Sequence, residues 1–330
     1  MKKQSIVLSI LLIWNWTFTY AGSSSLLRND SPQKNKKSSS EKNKGFVKQI
    51  VPKFLYTYLD FNFDSTQGDN FNRFQGFSNL YAAGADHIKL AHNFFAGLYL
   101  FRIDTYVQSQ VVLAPADLIL SKQDIKNNTL FGHLLKAFNQ HFYIDLAGAY
   151  GQNNISSQTL LTPTPHLGLS HSVNHNWFSS INGIYKYNWK KMTTKLSVGG
   201  LYNQVVSDKK YITYPDQDIP VQTVKPLTNK VVYILESLEL GYKFTPAMTP
   251  FINGGLIQVA SFKNSRETIN IANILGAVPQ LQMNKNAFRI GAGISFKLKQ
   301  LTLRLEQKYY NAAGTFTSND TLVSFSYQFS

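Results

Sequence analysis

Two stretches of this sequence carry the residue types of hydrolytic chemistry. Asp86-His87 sets a carboxylate beside an imidazole. HLGLSHSVNH, residues 166–175, supplies His166, Ser170, His171, Ser172, Asn174 and His175, the ingredients of a nucleophile, a base and an orienting amide. That chemistry needs the groups on one face, and neighbours in an extended chain point opposite ways, so His171 and Ser172 are separated unless a turn intervenes. They read as polar loop or interior residues, and no catalytic residue is assigned. The seven histidines, His87, His92, His133 and His141 among them, lack zinc-ligand spacing, and the chain has no cysteine. No metal or other cofactor is expected.

A second set of charges follows a stricter spacing. In 301–311, Thr302, Arg304, Glu306 and Lys308 alternate with Leu301, Leu303, Leu305 and Tyr309. In 286–298, Arg289, Gly291, Gly293, Ser295 and Lys297 alternate with Phe288, Ile290, Ala292, Ile294, Phe296 and Leu298. Period two is the signature of a strand with unlike faces. Arg102 and Asp104 are likewise set against Tyr99, Phe101 and Ile103, Asp145 against Ile144, Leu146 and Gly148, and Asp60 belongs to the face opposite Leu59 and Phe61. If the apolar face meets lipid, these charges belong inside a lumen, because an ionised side chain on the lipid face is destabilising. Asp60, Arg102, Asp104, Asp145, Arg289, Lys297, Arg304 and Glu306 are therefore expected to line an interior, as a cross-strand network or a hydrated pore lining. Glu236 fits poorly, since it shares a face with Leu238 and Leu240; either a bulge shifts the phase or it stands near a membrane boundary.

The elements that must hold these residues are strands almost throughout. Alternation predicts twelve, at 54–64, 74–90, 93–108, 129–138, 141–156, 176–189, 193–207, 231–244, 249–262, 286–298, 301–311 and 320–329. The connections alternate too. Those at 91–92, 139–140, 190–192, 245–248 and 299–300 are hairpin-sized, whereas those at 65–73, 109–128, 157–175, 208–230, 263–285 and 312–319 are long and polar. Short turns at one end and long loops at the other predict an all-β, antiparallel up-and-down transmembrane barrel of about 12 strands. Closure satisfies every inter-strand backbone group where water is absent. Tyr58, Tyr99, Trp177, Tyr187, Trp189, Tyr242, Tyr309 and Tyr327 are candidates for interfacial girdles. In the last strand, TLVSFSYQFS, the residues Val323, Phe325, Tyr327 and Phe329 would face lipid, and this strand would close the barrel against Leu55 to Phe63.

Residues 1–21 place Lys2 and Lys3 before the apolar run IVLSILLIW and end on Ala21, the layout of a signal peptide, so export to a Gram-negative outer membrane is expected. Residues 22–50 hold seven Lys or Arg against Asp30 and Glu41 and read as a basic, Ser/Lys-rich disordered segment, part of which could thread the barrel. Residues 51–330 form the barrel. The formal charge of +15 suits anionic surfaces such as outer-membrane lipid and lipopolysaccharide. No recognition helix, zinc finger or stacking channel accompanies it, so nucleic acid is not an expected partner.

From Phe54 onward the chain resembles the C-terminal β-barrel domain of autotransporters, the type V secretion family. The segments that carry the resemblance are YTYLDFNFD, SNLYAAGADHIKLAHNFFAGLYLFRID, NGIYKYNW, LELGYKF, FRIGAGISFKL and the final aromatic strand. Within the second, Gly84-Ala85-Asp86 looks like the family's glycine-x-aspartate piece, and Gly97 falls in the following strand. The last strand is similar to an outer-membrane assembly signal, with Ser330 after Phe329. The resemblance implies a twelve-stranded barrel, insertion by the outer-membrane assembly machinery, and translocation or display of an N-terminal passenger. Because 22–50 is no β-helical passenger, the expectation is a passenger-poor barrel with a surface structural, adhesive or limited transport role. A passive porin is the alternative and an outer-membrane lipase or protease a third class. The segments 109–128, 208–230 and 263–285 are the expected contacts for a host or surface ligand.

Overall fold

The computed structural model describes residues 50–329 apart from 68–69, 114–116, 163–165, 216–220, 225, 265–267, 272–273, 278–285 and 314. The expected leader at 1–21 and nearly all of the 22–50 segment lie outside these residues. The strands are β1 (Val51–Gln67), β2 (Asn70–Ala91), β3 (Phe94–Leu113), β4 (Asp117–Ala137), β5 (Phe142–Thr162), β6 (His166–Trp189), β7 (Met192–Ser207), β8 (Lys210–Thr213), β9 (Gln222–Val224), β10 (Leu227–Tyr242), β11 (Met248–Asn264), β12 (Thr268–Ile271), β13 (Ile274–Ala277), β14 (Ala287–Leu298), β15 (Leu301–Ala312) and β16 (Phe316–Tyr327).

Twelve of them, β1–β7, β10, β11 and β14–β16, pair antiparallel in sequence order, and β16 pairs back to β1, with Lys53 opposite Ser326 and Phe63 opposite Phe316. The wall is closed and leaves no edge. The short β8–β9 ribbon continues the wall against β6, and β12–β13 is a separate hairpin. The tight turns at one end are made by residues with left-handed backbone, Asn93 at φ 56°, Lys190 at 50° and Lys299 at 54°, the conformation that matches a two-residue turn to strand twist.

Strand length departs from the sequence expectation. β1–β6 run for 17 to 24 residues, so the described residues of the expected loops 109–128 and 157–175 are strand. Their inward residues mix Val111, Ile119 and Ile125 with Ser109, Ser121, Gln123, Asn127, Ser157, Ser172 and Asn174, all buried, while Gln110, Lys122, Asp124 and His171 point out and are exposed. The polar exterior made these stretches read as loop. It also shows that this part of the wall rises beyond the lipid into water.

Lower on the wall the exterior is apolar. Phe54, Leu98, Leu100, Leu134, Leu146, Ile181, Leu196, Ile252, Ile290 and Phe325 are exposed there. Aromatic pairs edge this belt, Tyr56 with Tyr81 at 5.3 Å and Trp177 with Tyr202 at 4.9 Å on one side, Phe138 with Phe142 at 5.6 Å and Tyr327 with Phe329 at 5.2 Å on the other. Among the described residues no helix is long and apolar enough to cross a membrane, so crossing falls to the strands. Tyr99, expected in a girdle, is buried inside.

A continuous apolar cluster inside the barrel takes residues from all twelve wall strands, including Leu59, Leu80, Phe101, Phe131, Phe178, Val231, Ile257 and Leu322. Gly293 marks how tightly the interior approaches the wall. A Cβ there would stand 2.3 Å from the Phe251 ring and 2.4 Å from the Leu305 carbonyl oxygen. Gly293→Val is expected to exceed the ~1–3 kcal/mol of ordinary overpacking, because a backbone oxygen cannot move aside. The readout is loss of the compact, heat-modifiable band on unboiled gels.

Candidate functional site: a charged and amide-lined lumen

The short-turn ends of β1–β5 bring five polar side chains together inside the barrel. Asp86 lies where β2 bulges against β3, with His87 at φ 57° and the register shifting between Ala85 and Ile88. The bulge turns His87 away and leaves Asp86 facing His133, 47 residues along the chain. His133 Nε2 is 2.8 Å from Asp86 Oδ1 and its Nδ1 is 2.8 Å from Asp145 Oδ1. Ionised carboxylates only accept, so both ring nitrogens must donate and the ring is an imidazolium. The Tyr99 hydroxyl donates to Asp86 Oδ2, and buried Lys53 adds a second positive charge that interacts with Asp86. Gly97 makes room for the ring, since a Cβ there would come within 2.2 Å of His133 Nε2.

A second cluster faces it from β10, β11 and β15. Arg304 Nη2 reaches Glu239 Oε2 at 2.7 Å and Glu306 Oε2 at 3.1 Å. Lys308 Nζ sits 3.1 Å from Glu306 Oε1, which also accepts from Asn253 Nδ2. The guanidinium lies 3.7 Å from the centroid of the Phe251 ring, a cation–π contact in a desolvated place. Buried Lys195 on β7 interacts with Glu239 on one side and Asp145 on the other, linking the clusters.

Farther along the lumen amides join the charged groups. Asn127 Nδ2 donates to Asn153 Oδ1 at 2.6 Å, and Asn153 Nδ2 to Asn176 Oδ1 at 2.8 Å, a ladder across β4, β5 and β6. Asn174 and Asn203 near it, and Asn72 and Asn182 elsewhere in the interior, are each at most 2 % exposed, and among the described residues neither side-chain polar atom of any of them has a hydrogen-bond partner. A buried amide left this way is unfavourable unless water or a ligand completes it.

The expected lining residues divide. Asp145, Arg289, Arg304 and Glu306 project inward, and Lys297 shares that face at the exposed rim. Asp60, Arg102 and Asp104 do not. Asp60 accepts from Asn319 Nδ2 at 3.1 Å on the outer face, and Arg102 pairs with Asp104 at 2.8 Å with both side chains more than 40 % exposed. Tyr99, Phe101 and Ile103 fill the interior of β3 instead, and Leu98 and Leu100 form its apolar exterior. The outward charges lie above the apolar belt, in water, so lipid does not exclude them. Val323, Phe325, Tyr327 and Phe329 all face outward.

The hydrolytic constellation does not assemble. Ser172 is buried inside while His171 is exposed outside beside Ser156. His175 contacts Tyr150 on the exterior, and His141 bonds the Lys186 carbonyl near a turn. Among the described residues no group of three or more His, Asp or Glu side chains could hold a metal ion. The partnership of Asp86, His133 and Asp145 escaped sequence reading because it rests on register, with Gly97 opposite His133.

A closed twelve-stranded barrel with an apolar exterior belt, short turns at one end and a charged interior has the architecture of an up-and-down transmembrane β-barrel. No family model and no curated protein matches the sequence. Solved structures do. The translocator domain of the autotransporter NalP from Neisseria meningitidis superposes with a TM-score of 0.62 at 12% identity, over 84% of this chain and 88% of that one. The β domain of the Bordetella autotransporter BrkA gives 0.57 at 11% identity, over 85% and 100%. The transport unit of AIDA-I from Escherichia coli gives 0.56 at 11%, over 94% and 97%. At these identities the likeness is one of fold.

Proposed function

We propose that this chain is a passenger-poor outer-membrane barrel whose hydrated lumen passes small polar solutes while its tall wall serves as surface structure. The observation that carries passage is the set of buried amides without partners among the described residues, which water inside the lumen would satisfy. Charge gives the passage a sign. Among the described inward-facing residues, Lys53, His133, Lys186, Lys195, Lys210, Arg289, Arg304 and Lys308 outnumber Asp86, Asp145, Glu239, Glu306 and Asp320. A lumen with that surplus favours anions.

Purified barrel in a planar bilayer is expected to show open conductance, with a reversal potential in a potassium chloride gradient that reports chloride preference. Asn174→Leu with Asn203→Leu should at least halve that conductance by drying the amide zone, and Arg289→Gln should weaken the anion preference. A barrel that inserts and stays sealed would sink passage and leave the surface role. That role is supported by the polar exterior of β2–β6 above the belt, where a host or surface ligand would dock. Insertion by the outer-membrane assembly machinery and contact with lipopolysaccharide belong to the same reading.

A further inference from the structure

Glu236 is the charged residue that the barrel reading does not absorb. It lies on the outer face of β10 with Val232 and Ile234 toward one end and Leu238, Leu240 and Tyr242 toward the other, so it stands within the apolar belt. Its lateral neighbours are Val198 on β7 and Leu256 on β11, both 48% exposed. The bulge in the β10–β11 register falls between Val232 and Tyr233 and does not turn Glu236 inward. Among the described residues its one hydrogen bond is from Gln258 Nε2, stretched to 3.5 Å. A carboxylate and a primary amide thus share a lipid-facing patch with most of their hydrogen-bonding capacity unused, and acyl chains supply none.

The wall is also smooth here. Gly200 and Gly254 flank Glu236 on the two adjacent strands, and a Cβ at either would meet its nearest atom at 3.9 Å and 3.6 Å, ordinary contact. The neighbouring inward Gly255 is different, because a Cβ there would stand 2.4 Å from the Glu236 carbonyl oxygen. Barrel closure therefore demands glycine at 255 and not at 200 or 254, whose smallness opens the outer surface to close approach.

We propose that this face of β7, β10 and β11 is an interface between two copies of this chain within the membrane, in which Glu236 of each accepts a hydrogen bond from the second copy's Gln258. A two-fold axis along the membrane normal sets identical residues at identical depth, so the donor and acceptor are matched by symmetry. The pairing supplies in the bilayer what lipid cannot.

The absence of cysteine makes the test clean. Leu256→Cys on this face and Leu100→Cys on the far wall are treated with a short bismaleimide in native outer membranes. The expected result is a product of twice the chain mass from Leu256→Cys and none from Leu100→Cys. Adding Glu236→Leu to Leu256→Cys should lower the yield at least fivefold, while heat-modifiable migration shows the barrel folded. Equal yields from the two cysteine variants, a product of any other mass, or a yield indifferent to Glu236→Leu would overturn the proposal.

Discussion

Arg304→Met is expected to destabilise the barrel by about 3–5 kcal/mol, seen as a lower urea midpoint for the folded band in detergent micelles. The magnitude follows from what stays behind. Arg304 bonds both Glu239 and Glu306, and the Glu306 side chain is 0% exposed. Lys308 and Asn253 still serve Glu306 and Lys195 still interacts with Glu239, so each carboxylate keeps part of its compensation but loses its bond to the guanidinium. Adding Glu239→Gln to Arg304→Met should therefore recover a large part of the loss, because removing both partners is less harmful than removing one. If Arg304→Met alone left the midpoint unchanged, the buried network would hold nothing together.

His133→Leu is expected to cost a similar amount, about 3–5 kcal/mol, by a different route. Leucine fills much of the space over Gly97 but leaves Asp86 and Asp145 facing each other without the cation between them. Tyr99 still donates to Asp86 and Lys53 still interacts with it, while Asp145 loses its 2.8 Å partner and keeps the interaction with Lys195. Asp145→Asn in the same chain should restore most of the stability, whereas Asp86→Asn should restore less. The measurement is again the urea midpoint of each variant, and equal rescue by the two asparagines would count against this division of labour.

The closed barrel was legible because period-two alternation and hairpin spacing are local, and both survive tertiary context. Where the wall changes surroundings, alternation alone misassigned faces. Alternation gives Arg304 and Glu306 an inward face, and by the same rule Asp60, Arg102 and Asp104 lie on the outward one. Above the belt the exterior meets water and the interior is packed with Phe61, Ile103 and Val107, so the polar side is the outside. Nothing in a single strand marks the height at which that inversion occurs. The His133 cluster needed pairing across β2, β4 and β5, information that no local window contains.

The unequal strands give the outer rim a slope. β2–β6 reach 20 to 24 residues whereas β14–β16 have 12 each, so with strands tilted about 40° the paired wall stands on the order of 30 Å taller on one side. The mouth is cut obliquely, like a spout. A large molecule approaching from outside meets the high parapet of β2–β6 first.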